Sequence, residues 1–284
     1  MANEAMRDTW AAGADGWVRN ERIFDAAFRP FTEAVVGAAD LGSARRVLDV
    51  GCGAGTLLEA AVAAGAECVG VDISPAMVDA ARRRVPTATV LTSDAQTADL
   101  LESAPGARFD RVVSRFGVMF FADPPAAFAN IRAATAPGAS LAFVCWRDIE
   151  SEMFLLGLRT LLARVDDPPA PAPPGQPGAM GLADAEMVRQ VLSASGWADV
   201  RVDVADGLCD FGLDGSDGVE ERLAAVLSGT VGRVVQAELR GRLGEDGWQD
   251  ALEGARAELR THIVDGSVRF VAHAWLVTAS NPGP

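Results

Sequence analysis

A glycine run between an apolar stretch and a helix-like stretch is the first feature of this sequence able to seat a ligand. Val47 to Val50 reads as a strand, Gly51-Cys52-Gly53-Ala54-Gly55-Thr56 follows, and the residues after it have helical spacing. Glycines at such a turn permit positive φ and bring a ligand against the backbone, and the amides of the helix start are ready donors. The loop by itself also fits other nucleotide-binding α/β proteins. Two details narrow it. The nicotinamide fingerprint is G-x-G-x-x-G/A, whereas here the third glycine comes one position early and Thr56 stands in the Gly/Ala place. Asp49, two residues ahead of the loop, would repel a pyrophosphate and suits a ligand with positive charge. Asp72, in VGVDIS, stands at the spacing where doubly wound folds set an acid on ribose hydroxyls, and Asp94, in TSDA, is placed to accept from an exocyclic amine.

The elements that must position these residues have an α/β rhythm. From Arg45, short β-branched runs alternate with Ala-rich helical segments through SLAFVCW, and five such strands predict a parallel sheet with right-handed crossovers. Ser74-Pro75 and Asp123-Pro124 read as N-caps followed by proline in the first turn, Gly65 as the end of the first crossover helix, and Pro137-Gly138 as the end of the fourth. Residues 3 to 39 suggest two helices ahead of the first strand. Residues 166 to 181 hold six prolines in sixteen positions and must form a loop or lid. A helix from about Asp184 to Ser195, closed by Gly196, then a strand ADVRVDV, a mostly helical stretch from about Ser216 to Asp265 and an edge strand VRFVAHAWLVTA complete the chain. This organisation predicts an N-terminal cap over residues 1–40 and one large domain over 41–284, with a lid insert at about 147–182 and a helical insert at about 206–267.

In motif order, VLDVGCGAGT, VGVDIS, TSDA and FDRVVSRFGVMFF resemble the class I S-adenosylmethionine-dependent methyltransferases, over roughly residues 45 to 148. The resemblance implies a Rossmann-like doubly wound sheet of seven strands in the order 3-2-1-4-5-7-6, with strand 7 antiparallel. It implies S-adenosylmethionine as cofactor and S-adenosylhomocysteine as product. Gly51, Gly53 and Gly55, with Cys52 between them, would pass beneath the methionine part, and Asp49 would help hold its ammonium. Asp72 would take the ribose hydroxyls, Ile73 and Met77 would flank the adenine, Asp94 would accept from its amino group, and Ala95 would give a backbone contact. Ser114, Arg115 and Phe116 would stand near the transferred methyl. The run SRFGVMFFADPPAAF is similar to the branch of small-molecule enzymes that includes quinone and natural-product methyltransferases. The acceptor is then a small, largely apolar metabolite methylated by in-line displacement. The alternatives are a relative that keeps the cofactor as scaffold for another reaction, such as a cyclisation, and a non-catalytic module that senses it.

Composition excludes several other chemistries. With 25 basic residues against 39 acidic ones the net charge is -14, which opposes a nucleic-acid surface. Every basic residue is Arg, and there is no Tyr, so Schiff-base lysines, P-loop lysines and phenolic acids are absent. This usage fits a GC-rich bacterial genome. Cys52, Cys68, Cys145 and Cys209 form no C-x-x-C pair and read as buried thiols in a reducing compartment, and two histidines are too few for a histidine-rich metal site, so no metal is expected. No apolar run reaches membrane-span length, and a cytoplasmic monomer or homodimer without a membrane or nucleic-acid partner is expected.

The remaining candidates each carry a plain structural alternative. His273 lies in an apolar strand and reads as core, while His262, just ahead of that strand, is placed to reach the acceptor as general base or to serve a surface or packing role. Trp10 and Trp17 form a lid over the cofactor or a helix pair docked on the sheet. Trp146 and Met153 line the acceptor mouth or fill the junction with the lid. Arg115 anchors an anionic group or pairs with an acid such as Asp123.

Overall fold

A computed structural model of the chain describes residues 3–149, 151–169, 173 and 175–283. Three helices, α1 (Glu4–Arg19), α2 (Glu21–Ala27) and α3 (Arg29–Ala39), precede the first strand, so the predicted pair is a triplet, broken at Asn20 and Phe28. Pro30 near the start of α3 explains the second break, because a proline needs no amide partner there but would break a continuing helix. The α3 face Phe31, Val35 and Ala39 is buried against the sheet.

The sheet then builds as the rhythm predicts: β1 (Arg46–Val50), α4 (Thr56–Ala63), β2 (Glu67–Asp72), α5 (Pro75–Arg84), β3 (Thr89–Thr92), α6 (Leu100–Ser103), β4 (Phe109–Arg115), α7 (Pro124–Ala133) and β5 (Thr135–Trp146). β1 is buried at all five positions, as expected of a central strand covered on both faces. Beyond β5 come α8 (Glu152–Leu155), α9 (Arg159–Leu162), α10 (Ala185–Ala194), β6 (Ala198–Val204), β7 (Gly207–Asp210), α11 (Val219–Ser228), α12 (Thr230–Arg260), β8 (Ile263–Val264), β9 (Ser267–Ala272) and β10 (Ala274–Ser280). The seven-stranded order is β3-β2-β1-β4-β5-β10-β6, with β10 antiparallel to both neighbours, the order 3-2-1-4-5-7-6 of the sequence reading.

Local signals hold at most places. Asp123 caps α7 through Ala126, Asp184 caps α10 through Met187, and Gly65 and Gly196 close their helices at positive φ. Pro137-Gly138 is a correction: α7 already ends at Ala133, and the pair lies inside β5, where the amide of Gly138 bonds the carbonyl of Asn281. The terminal edge strand is also corrected. It breaks at His273, and β9 leaves the main sheet to pair antiparallel with β7 and β8 in a second, three-stranded sheet. Because β10 runs antiparallel, β9 lies beyond the edge at which β1 to β5 end. The helical insert therefore also carries strands, and α12 kinks at Gly244. Of the proline-rich segment, residues 170–172 and 174 lie outside the described residues, and the rest of 166–181 has neither helix nor strand. No helix among the described residues is long and apolar enough to cross a membrane.

Candidate active site

The strand ends β1 to β5 converge on one cavity of about 860 Å³, closed from above by α1, α2, the segment after β5 and the α11–α12 junction. Ligands of open α/β sheets bind at this edge, where the strand order reverses. The sequence places its floor. β1 delivers Asp49 and runs into a loop in which Gly51, Gly53 and Gly55 all have positive φ. A side chain on Gly51 would meet the backbone of Gly117 at 2.7 Å, so the turn tolerates only glycine there. A Cβ on Gly53 would meet nothing within 4 Å, and that glycine borders the open cavity.

The amides of this loop are mostly spent inside the protein. Gly51 and Cys52 donate to the carbonyl of Val71, Gly55 donates to Cys52, and Gly53 donates to Asp72 at 2.9 Å. The amides expected as ready donors are those of the helix start, which these bonds do not use. The loop itself offers close backbone approach more than an anion cradle.

Asp49 is 1% exposed, and neither of its carboxylate oxygens has a hydrogen-bond partner. Burial pushes its carboxyl up to about 8; the positive charge of Arg115 opposes that rise and the charge of Asp72 adds to it. A buried carboxylate without a partner is costly, and a cationic ligand is the partner it lacks. Asp72, at the end of β2, is tied on both oxygens, to the amides of Gly53 and Ser74 at 2.9 Å each. Burial raises its pKa, against the effect of those amides. Each oxygen keeps further acceptor capacity for a hydroxyl donor.

Ile73 and Met77 line the cavity next to Asp72, and Asp94 and Ala95 line it beyond β3. Asp94 is occupied in part: its oxygens accept from the side-chain amide of Asn3 at 2.9 and 3.1 Å and from the amide of Gln96. Asn3 in turn accepts from the amide of Ala122, so the first residues of the chain are sewn to this wall. Cys52 is buried and its thiol is pushed well up by burial, which makes it part of the floor and no nucleophile. All four cysteines are free and buried, as the sequence suggests.

Arg115 lines the cavity at the end of β4. Its partner is not Asp123. It donates to Asp25 of α2 at 3.3 Å and to the hydroxyls of Thr32 and Thr56 at 2.8 and 3.2 Å. Asp25 also accepts from Thr56 at 2.6 Å and pairs with Arg84 at 2.5 Å. Burial raises the pKa of Asp25, but the Thr56 hydroxyl and the two guanidinium groups outweigh it and leave it lowered. Asp25 escaped the sequence reading, and Thr56 entered it only for its place in the loop, since nothing local links a helix acid at 25 to a strand-end arginine at 115.

Phe116 has φ +62 and stacks on Trp146 at 3.8 Å between centroids, and Trp146 meets Phe154 edge-on at 5.7 Å. Trp10 packs on Trp17 and Phe120, and Trp17 stacks on Phe24 at 3.8 Å. All of these aromatics border the cavity, as does Met153. Trp10 and Trp17 therefore both cover the mouth and pack, so the two readings of them are not exclusive.

Three predicted residues are not on its surface. Gly55 packs behind the loop against Ala81. Ser114 is buried, donating to the carbonyl of Val50 at 2.7 Å and accepting from the amide of Gly117, which ties β4 to β1 behind the site. His262 stands outside, beside Thr261 at 3.0 Å and 4.0 Å from Glu152, because β8 and β9 intervene between α12 and the sheet edge. The general-base assignment of His262 is corrected. His273 is not core either: it is half-buried at the break between β9 and β10 and lies 3.0 Å from Asp206. Among the described residues, no cluster of His, Cys, Asp or Glu has the form of a metal site.

Residues 48–143, which hold the glycine loop, Asp72, Asp94 and Arg115, match the methyltransferase domain family. Over residues 48–143 the chain is an S-adenosylmethionine-dependent methyltransferase domain. This methyltransferase is 27% identical over 204 residues to the demethylmenaquinone methyltransferase of Renibacterium salmoninarum, which covers 69% of this chain and 84% of that protein. It is 32% identical over 124 residues to the aklanonic acid methyltransferase of Streptomyces sp. strain C5, covering 41% of this chain and 54% of that one. Its fold is that of phosphoethanolamine N-methyltransferase 2 of Haemonchus contortus, solved with S-adenosyl-L-methionine, at a TM-score of 0.55 and 16% identity, over 100% of this chain and 60% of the other. The unpartnered Asp49 carboxylate and the open face of Gly53 in this methyltransferase fit a cofactor that presents an amino-acid cation to the loop.

Proposed function

We propose that this methyltransferase methylates a small, largely apolar acceptor of the natural-product or quinone-like kind. The observation that carries the reading is the position of the orphaned Asp49 at the floor of a cavity whose other walls are mostly apolar. Asp49 would hold the cofactor ammonium, with Gly51 and Gly53 beneath the methionine part. Asp72 would take the ribose hydroxyls, Ile73 and Met77 the adenine faces, and Asp94 and Ala95 its edge. Arg115 would stand by the amino-acid end, held in place by Asp25 and Thr32. When bound, the cofactor supplies an electrophilic methyl group on a sulfonium.

The chain's own residues then act by position. Aromatics such as Phe116, Trp146 and Phe154 hold the acceptor and keep water out, and a dry cleft favours a displacement in which opposite charges cancel. Relatives named for demethylmenaquinone and aklanonic acid support an acceptor of this size and character.

Native mass spectrometry and titration calorimetry with S-adenosylhomocysteine and NAD test the reading. One equivalent of S-adenosylhomocysteine and no NAD is the expected result; NAD alone, or neither, overturns it. Methyl-labelled cofactor incubated with an extract of aromatic metabolites then reads turnover. Label transferred to an organic-soluble product supports methylation, and an acceptor converted with all label left on the cofactor supports the scaffold use instead.

A further inference from the structure

The charges on the cavity wall are segregated along the chain. The acids that line it are Glu21, Asp25, Asp49, Asp72 and Asp94, all before β4. Among the described lining residues that follow Arg115, only Arg222 and Arg233 carry a charge, and the rest of that wall is apolar or uncharged, with Met153, Phe154, Leu158, Met180 and Val226 typical of it. Neither histidine lines it. The part of the wall contributed by residues after Arg115 is thus apolar, with two guanidinium groups and, among the described residues, no carboxylate and no base.

Arg222 is the more deeply set of the two. It is 2% exposed, sits within 5.1 Å of both the Phe211 and Phe270 ring centroids, and forms no ion pair among the described residues. Its described hydrogen bonds all come from Nη2, to the carbonyls of Glu152, Met153 and Leu156 at 3.1, 2.8 and 3.0 Å, while Nε has no partner. Burial pulls its pKa down to about 10, with Glu152 and Glu258 opposing that only from a distance. Arg233 donates to the carbonyl of Ala12 and likewise leaves a buried Nε unpartnered. Backbone carbonyls satisfy geometry but do not neutralise charge, so each of these two guanidinium groups lines the cavity with a positive charge that an anion would relieve.

We infer that the acceptor is an apolar, aromatic-sized molecule that enters as an anion, a carboxylate or an acidic enol, drawn into the insert half of the cavity by Arg222 and Arg233. The inference rests on the methyltransferase reading and deepens it by naming the substrate class. It also accounts for the wall's lack of a base. An oxygen that is ionised on arrival needs no proton removed: it forms a bond to the methyl carbon as the carbon–sulfur bond breaks, the electron pair passes to sulfur, and both products are uncharged at the reacting atoms with no proton released. The methylated product no longer has the charge that held it, and leaves.

The test uses the full chain and three probes of one shape: 1-naphthoate, 1-naphthamide and methyl 1-naphthoate. Affinities are read by quenching of the cavity tryptophans, with and without saturating S-adenosylhomocysteine. The expected result is naphthoate at least tenfold tighter than either neutral probe, with the preference falling below threefold in Arg233→Gln and in Arg222→Gln. Because Arg222 also pins α8, the Arg233→Gln variant and the comparison of probes on the unaltered chain stand without it. Equal affinities, or a preference that survives both substitutions, overturn the inference. S-adenosylhomocysteine binding with no anion preference removes the inference alone, whereas an anion preference with no S-adenosylhomocysteine binding removes the methyltransferase reading and leaves an anion site.

Discussion

The carboxylate of Asp72 accepts from the amide of Gly53 at 2.9 Å, so the acid at the end of β2 also shapes the glycine loop after β1. Its second oxygen accepts from Ser74, at the start of α5. One side chain thus sets the position of two strand-to-helix turns and still faces the cavity. Asp72→Ala is expected to weaken S-adenosylhomocysteine binding by about 1 to 3 kcal/mol through lost charge-assisted hydrogen bonds. Because the loop loses its tie as well, hydrogen exchange at Gly53 should accelerate in the same variant. Unchanged calorimetric affinity would remove Asp72 from the site.

Asp49 gives a pH signature of opposite sign to that of an ordinary carboxylate. Its folded pKa is raised from 3.8 to about 8, so its stabilising contribution in the ligand-free protein is fully present below about pH 4 and lost as pH rises through 8. Asp49→Asn, which is always neutral, should therefore be more stable than the natural chain at pH 8, by about 2 to 4 °C in Tm for each kcal/mol relieved. It should bind S-adenosylmethionine less tightly at that pH. Thermal melts and titrations from pH 5.5 to 9 read both effects, and a variant that melts lower at pH 8 contradicts the assignment.

Asp25 has the reverse sign. Its folded pKa is lowered, so the stability it contributes is present above the unfolded value of 3.8 and lost as pH falls through the folded one. Removing its charge leaves Arg115 and Arg84 without their shared partner. Asp25→Asn should cost about 1.5 to 3 kcal/mol at pH 7, the range for hydrogen bonds to charged groups, and progressively less in acid. Urea unfolding at pH 7 and at pH 3 gives the comparison.

The parts legible in the sequence are those whose cause is local. Short β-branched runs, proline and glycine punctuation and capping acids located β1 to β6, and the loop chemistry located Asp49 and Asp72, because each depends on neighbours a few positions away. The Asp25–Arg115 pair, the contact of Asn3 with Asp94 and the two arginines of the insert join residues far apart in the chain, and no spacing rule brings them together. His262 misled for a related reason: VRFVAHAWLVTA holds no proline or glycine to mark a break, and only the pairing of β9 with β7 shows that the strand changes sheets at His273. That exchange carries the hairpin holding His262 away from the acceptor. His262→Gln should accordingly leave S-adenosylhomocysteine affinity unaltered and stability within about 0.5 kcal/mol, as for an ordinary surface position. A tenfold loss of affinity would restore it to the site.

Gly117 is the residue whose importance the sequence least betrays, for it has an ordinary φ of -87 and sits in no glycine motif. Its constraint is contact. A Cβ there would lie 2.6 Å from the carbonyl oxygen of Val50, 2.8 Å from the Cα of Gly51 and 2.9 Å from the Ser114 hydroxyl. Two of these are backbone atoms, which cannot step aside, so the β4 turn would have to move away from the glycine loop. Gly117→Ala is expected to cost about 1 to 3 kcal/mol of stability, as overpacking does, and to weaken cofactor binding by displacing Gly51 and the adjoining Phe116. Gly37, inside α3 with nothing within 4 Å of its would-be Cβ, is the control. Gly37→Ala should stabilise the protein by about 0.5 to 1 kcal/mol with no change in affinity, since it only removes freedom from the unfolded chain. If both alanine variants unfold at the same urea concentration, the close approach of the two turns is not what holds the loop in place.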